Sequence, residues 1–192
     1  MCALKPHNAS IAGVKHLESL LKEKVFKAFK IFPGYYNFYP HDNIYLPFYR
    51  LAEKHNVPVI IHSGATLSNM GLAKYADPIH IDDAAVKFPG TTIIMAHIGN
   101  PWIDTAKAVI SKNQNVYADL SGLFEGGRYK EEQEMKREVR ELLQWTGDEK
   151  LLYGSDWPIV RMKEYIMAMK KIVPKASHDN VFYNNAKKMC GI

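Results

Sequence analysis

The chain has 192 residues, of which 47% are hydrophobic and 23% charged, and a formal net charge of +5. That length suits one domain with a sizeable core, here taken as residues 1–192, and the composition is ordinary for a soluble globular enzyme. No apolar run approaches the roughly 20 residues that span a membrane, and the basic excess carries no nucleic-acid-binding motif.

The basic residues Lys22, Lys24, Lys27, Lys30, Lys170 and Lys171 interleave with apolar ones, and residues 131–141 mix both signs in the manner of a solvated helix face. A modest positive field of this kind favours small anionic substrates. Cys2 and Cys190 match no metal or redox spacing and read as free thiols in a reducing cytoplasm. The segment Met1–Pro6 lacks the charged and apolar regions of a signal peptide, so a cytoplasmic location is expected.

In chain order, the first six residues read as the exit of a strand. A strand over Val25–Phe32 closes at Pro33-Gly34, and the aromatic loop Tyr35–Pro40 follows. A helix from about Ile44 to His55 leads to a strand ending at His62. Asp77-Pro78 opens a helix that stops near Phe88-Pro89-Gly90, and Asn100-Pro101 opens another that runs to about Lys112. Between them lies a strand ending at His97. A strand ending at Asp119 gives way to the loop Ser121–Gly127 and a charged helix from about Tyr129 to Trp145. The last strand leads to Asp156, followed by helices over Met162–Ile172 and Asp179–Cys190.

Strands that alternate with helices imply a parallel sheet, and continuous apolar runs imply strands buried on both faces. Four of these runs end on His62, His97, Asp119 and Asp156, which can bind a metal or move a proton. In a parallel α/β barrel the chemistry sits where the strands end, so these four residues define a site hypothesis. Asp119 is equally readable as an orienting group behind the site or as a strand-end turn residue. Lys30 is either a surface lysine or an interior cation that meets an anionic substrate. Trp157 and the Tyr35–Tyr39 loop are candidate walls for a planar substrate. His80 reads as structural or surface, and His16, His41, His55 and His178 carry no signal.

The segments VPVIIHSG (57–64), DPIHIDDAAVKFP (77–89), IIMAHIGNPW (93–102), VYADLSG (116–122) and LLYGSDWP (151–158) together resemble the amidohydrolase-related ("amidohydrolase 2") family of the metal-dependent hydrolase superfamily. The resemblance implies an α/β, TIM-barrel-like (β/α)8 fold. It implies a metal ligand at His62, a proton-handling group beside the metal at His97, and a metal ligand and base at Asp156. The implied cofactor is a divalent metal, zinc first and manganese next, whose bound water would have a pKa lowered toward about 7.

The family's usual first-strand His-x-His pair occurs nowhere in the chain, and His7 does not substitute for it. Met1 falls near the family's third strand, so a partial barrel lacking the first two βα units is expected. An open barrel exposes strand edges, which predicts a homo-oligomer that covers them.

Three functions follow from the resemblance. The first is metal-dependent hydrolysis of a small carbonyl, ester or amide-type substrate. The second is non-oxidative decarboxylation of a small aromatic or unsaturated acid, for which Arg128 and Arg161 are possible carboxylate clamps. The third is a non-catalytic barrel remnant that serves binding or assembly.

Overall fold

The structure, a computed structural model, describes residues 1–123 and 132–191. Its frame is a six-stranded parallel sheet whose spatial order is its sequence order. The strands are β1 (Cys2–Ala3), β2 (Phe29–Ile31), β3 (Val59–Ile61), β4 (Ile93–Met95), β5 (Val116–Asp119) and β6 (Leu151–Leu152). Register runs without interruption through the middle of the sheet: Phe29 pairs with Val59, Val59 with Ile93, and Ile93 with Val116. A sheet in which each new strand joins beside the last is an arc of a (β/α) barrel.

Helices cross between the strands. They are α1 (Ile11–Lys22), α2 (Leu46–His55), α3 (Ile79–Lys87), α4 (Ile103–Lys112), α5 (Glu132–Thr146) and α6 (Met162–Ile172). A π-type turn over Asn180–Asn184 then continues into α7 (Asn185–Cys190). Among the described residues, no helix is long and apolar enough to cross a membrane.

The core lies between the strands and the helix ring. The three residues of β2 and of β4 are all buried, as expected of strands covered on both faces. Helices contribute apolar residues at helical spacing, such as Ile103, Ala106, Val109 and Ile110 on α4. Local chemistry sets the helix ends. The Ser10 side chain accepts from Gly13 N–H at 3.1 Å and caps α1, worth about 1 kcal/mol. Asn56 adopts a left-handed conformation (φ 49°) and terminates α2.

The expected elements are present, with three differences. Helix α1 is additional to those expected. Strand β2 is shorter than Val25–Phe32, because Val25 bonds to Leu20 rather than to a neighbouring strand. Strand β6 stops at Leu152, because Tyr153 N–H donates to Val181 O of the C-terminal helix at 2.7 Å. Asn185 completes that contact by donating to the Leu151 and Asp148 carbonyls, both at 2.7 Å. The loop beyond Leu123 and the expected helix start near Tyr129 lie outside the described residues.

Candidate active site

The C-terminal ends of β2, β3, β4 and β6 open onto one cavity of about 650 Å³. Lys30, His62, His97 and Asp156 all line it, together with Phe32, Tyr35, Tyr36 and Ile159 among others. Each side chain arrives by a specific strand exit.

His62 directly follows β3, and its N–H stays in the sheet, donating to Ile31 O at 3.0 Å. Behind it Ser63 donates to Ala96 O at 2.5 Å and ties two strand exits together. Gly64 turns with φ 94°, and a Cβ there would sit 2.1 Å from the Asn100 carbonyl oxygen, so only glycine lets these loops meet. His62 is 5% exposed, and its Nε2 is buried with no hydrogen-bond partner. Burial, then the nearby His97 and Lys30, push its pKa down to about 2, so the ring is neutral at physiological pH.

His97 leaves β4 through a left-handed path, with φ 64° at His97, 43° at Ile98 and 69° at Gly99. A β-branched residue in that region is costly, of order 1–3 kcal/mol, and the packing around it must hold it there. The buried Ile98 side chain provides such packing. The turn sets the His97 ring centroid 5.1 Å from that of His62. Tyr35 also stands edge-on to His62, with ring centroids 4.9 Å apart.

A hydrogen-bond chain fixes His97. Its backbone N–H donates to Asp119 Oδ1 at 3.1 Å, and Nδ1 lies 2.7 Å from Ser121 Oγ. Ser121 gives its hydroxyl proton to the same Asp119 oxygen, and its N–H donates there at 3.0 Å. A hydroxyl has one proton. With that proton on Asp119, Ser121 can only accept from His97, so neutral His97 carries its proton on Nδ1 and presents a lone pair at Nε2. Burial and then Lys30 lower the His97 pKa, while Asp119 and Asp156 oppose them. Asp119 thus sits behind His97, and Ser121 bridges the two.

Lys30 is 6% exposed on β2, an interior cation rather than a surface one. Its ammonium lies 5.6 Å from the Phe32 ring centre. Asp156 reaches the cavity through a left-handed turn (φ 57°) after β6. Trp157, a candidate wall residue, is 66% exposed and is not among the residues lining the cavity. Ile159, two residues past that turn, takes the wall position instead. Arg161 is also outside the cavity, exposed and 3.3 Å from Glu164, and Arg128 lies outside the described residues.

The residues present suit a divalent ion in kind. The unpartnered buried Nε2 of His62 and the carboxylate of Asp156 are an imidazole and an oxygen donor facing one cavity. They are fewer than a closed site needs, and His62, His97 and Asp156 do not converge into a three-ligand cluster among the described residues.

A strand-end cavity on a parallel β/α arc, holding histidines and a carboxylate, is the arrangement of a barrel enzyme's catalytic face. The amidohydrolase family model matches residues 5–192, and the chain belongs to that family. It is 30% identical over 87 residues to L-fucono-1,5-lactonase of Burkholderia ambifaria, covering 41% of this chain and 30% of the lactonase.

The fold superposes on an uncharacterised TIM-barrel protein of Bordetella bronchiseptica with a TM-score of 0.76 at 19% identity, covering 100% of this chain and 64% of that one. It also superposes on 5-carboxyvanillate decarboxylase of Novosphingobium aromaticivorans, a structure with bound manganese, with a TM-score of 0.73 at 15% identity. That match covers 100% of this chain and 64% of the decarboxylase. The chain thus spans less than two thirds of the length of these relatives.

Proposed function

We propose that this chain carries the catalytic face of a metal-dependent hydrolase acting on a small anionic carbonyl, ester or amide-type substrate. The observation that supports this reading most is that Lys30, His62, His97 and Asp156 share one cavity while His97 is held with its Nε2 lone pair free. His62 Nε2 and Asp156 would hold the ion, zinc being the choice for such donors and manganese the alternative. When bound, such an ion supplies Lewis acidity to a carbonyl and lowers the pKa of a water.

The chain's own groups do the rest. The Asp156 carboxylate accepts a proton from the attacking water. His97 Nε2 takes that proton over from Asp156 and delivers it to the departing oxygen or nitrogen. The Lys30 ammonium holds the substrate's negative charge in a low-dielectric wall, where it is worth more than in water. Phe32, Tyr35 and Tyr36 line the cavity and offer apolar faces to the substrate.

Lys30 also favours a second reading, decarboxylation, because it is a buried cation able to clamp a carboxylate without an arginine. Incubating the zinc- or manganese-loaded protein with panels of lactones, esters and aromatic acids separates the two. Acid release without carbon dioxide supports the hydrolase, and carbon dioxide release supports the lyase. Turnover of neither class would favour a non-catalytic barrel remnant. The proposal extends to a homo-oligomer covering the sheet edges at β1 and β6, checked by light scattering. It also extends to a cytoplasmic setting, which suits the free thiols of Cys2 and Cys190.

A further inference from the structure

Outside the catalytic cavity, one group of side chains has the composition and spacing of a metal site. His41 lies in the loop after β2, and His80 and Asp83 lie three residues apart on one face of α3. One donor atom from each falls within 4.8 Å of the other two. His41 Nδ1 is 3.4 Å from Asp83 Oδ2, and His80 Nδ1 is 3.7 Å from the same oxygen. Ligands about 2.0–2.1 Å from a tetrahedral ion stand about 3.3–3.4 Å apart, so the two separations to Asp83 are within a few tenths of an ångström of those in a coordination shell.

The surroundings hold the donors in place. Tyr39 stacks on His41 with centroids 5.4 Å apart and planes 6° from parallel, and its ring centre is 4.3 Å from that of His80. His41 Nδ1 is buried and makes no hydrogen bond, although it faces Asp83. A buried polar atom with no hydrogen bond costs free energy that a ligand would recover. Lys87, one turn beyond Asp83, is directed to the His41 carbonyl and Asn43 Oδ1, both at 2.9 Å, so it anchors the loop instead of occupying the donor set.

We propose that His41, His80 and Asp83 form a second metal site, distinct from the catalytic cavity, that takes a borderline-soft divalent cation of the zinc class. Two imidazoles and a carboxylate select such an ion over calcium or magnesium, which take oxygen ligands. The Asp83 side chain is 59% exposed, leaving room for water to complete the shell. The bound ion would clasp the β2–α2 loop to α3, and the same loop carries Tyr35 and Tyr36 into the cavity wall. The site therefore braces one wall of the cavity from outside.

The test titrates zinc chloride calorimetrically into chelator-treated protein in a His62→Ala, His97→Gln, Asp156→Asn background, which removes the imidazole and carboxylate donors of the cavity. The background protein should still take up one equivalent of zinc. His41→Ala or His80→Ala added to that background should abolish the uptake, and His80→Asn, which keeps a polar surface side chain, should do the same with an unchanged circular dichroism spectrum. Imidazole resonances lost in the His41 and His80 variants should be those that shift on zinc addition. No uptake in the background protein, or uptake unaffected by the His41 and His80 variants, would overturn the proposal. Neither result bears on catalysis, which is read from the wild-type cavity.

Discussion

The Nδ1 of His97 and the hydroxyl of Ser121 stand 2.7 Å apart, and Ser121 in turn gives its proton to Asp119. This relationship leaves His97 Nε2 as the proton acceptor in the cavity. Ser121→Ala removes the acceptor for Nδ1–H and lets the ring adopt either tautomer. Loss of such an orienting partner costs about 10–100-fold in activity. We expect that loss in kcat with KM little changed, a mixed tautomer signature for His97 in nitrogen NMR, and recovery in Ser121→Thr. An unchanged tautomer signature would remove Ser121 from the account.

Lys30→Gln keeps a polar side chain of similar length but removes the charge from the cavity wall. KM for acid-bearing substrates should rise by about tenfold or more, the effect of losing a charged hydrogen bond worth about 1.5–3 kcal/mol. KM for neutral esters should hardly move. Equal effects on both substrate classes would mean that Lys30 supports the fold rather than the substrate.

Gly64→Ala forces a side chain against the Asn100 carbonyl at a backbone angle that L residues avoid. A destabilisation of about 1–3 kcal/mol is expected, measured as a lower urea midpoint with an unchanged slope. No shift would show that the two loops have room to part.

Glu18 joins α1 to α2 by accepting from Lys54 at 2.7 Å and from His55 at 3.2 Å. These two bonds are the largest cause of its pKa falling from 4.5 to about 2. A carboxyl whose pKa is depressed on folding stabilises the protein above its unfolded value, and that contribution disappears as pH falls from about 4.5 through about 2. Wild type should therefore be more stable than Glu18→Gln at pH 7. The two urea midpoints should converge as pH is lowered toward 2, and a gap that stays constant would contradict the pairing.

Much of this site was legible because apolar strand runs mark their own ends. His62, His97 and Asp156 are each the first or nearly the first polar group with chemistry past such a run, and the structure puts all three on one cavity. Lys30 was ambiguous, since one lysine in a strand does not reveal which face of the sheet it occupies. Ser121 carried no signal as a partner of His97, because their contact joins residues 24 apart and depends on a left-handed exit no local pattern announces. The place of Trp157 is hidden for a similar reason: the turn at Asp156 (φ 57°) decides which following side chain faces inward. The pairing of His41 with α3 was equally hidden, as it joins a loop to a helix about 40 residues later in the chain.

The most direct test of the account is the rate at which zinc- or manganese-loaded protein hydrolyses a reactive anionic lactone or ester, compared with its His97→Gln variant. Turnover above the metal-only control is expected, reduced by about 10²–10⁴-fold when the Nε2 acceptor is lost. Turnover at the control rate, or turnover that His97→Gln leaves intact, would contradict it.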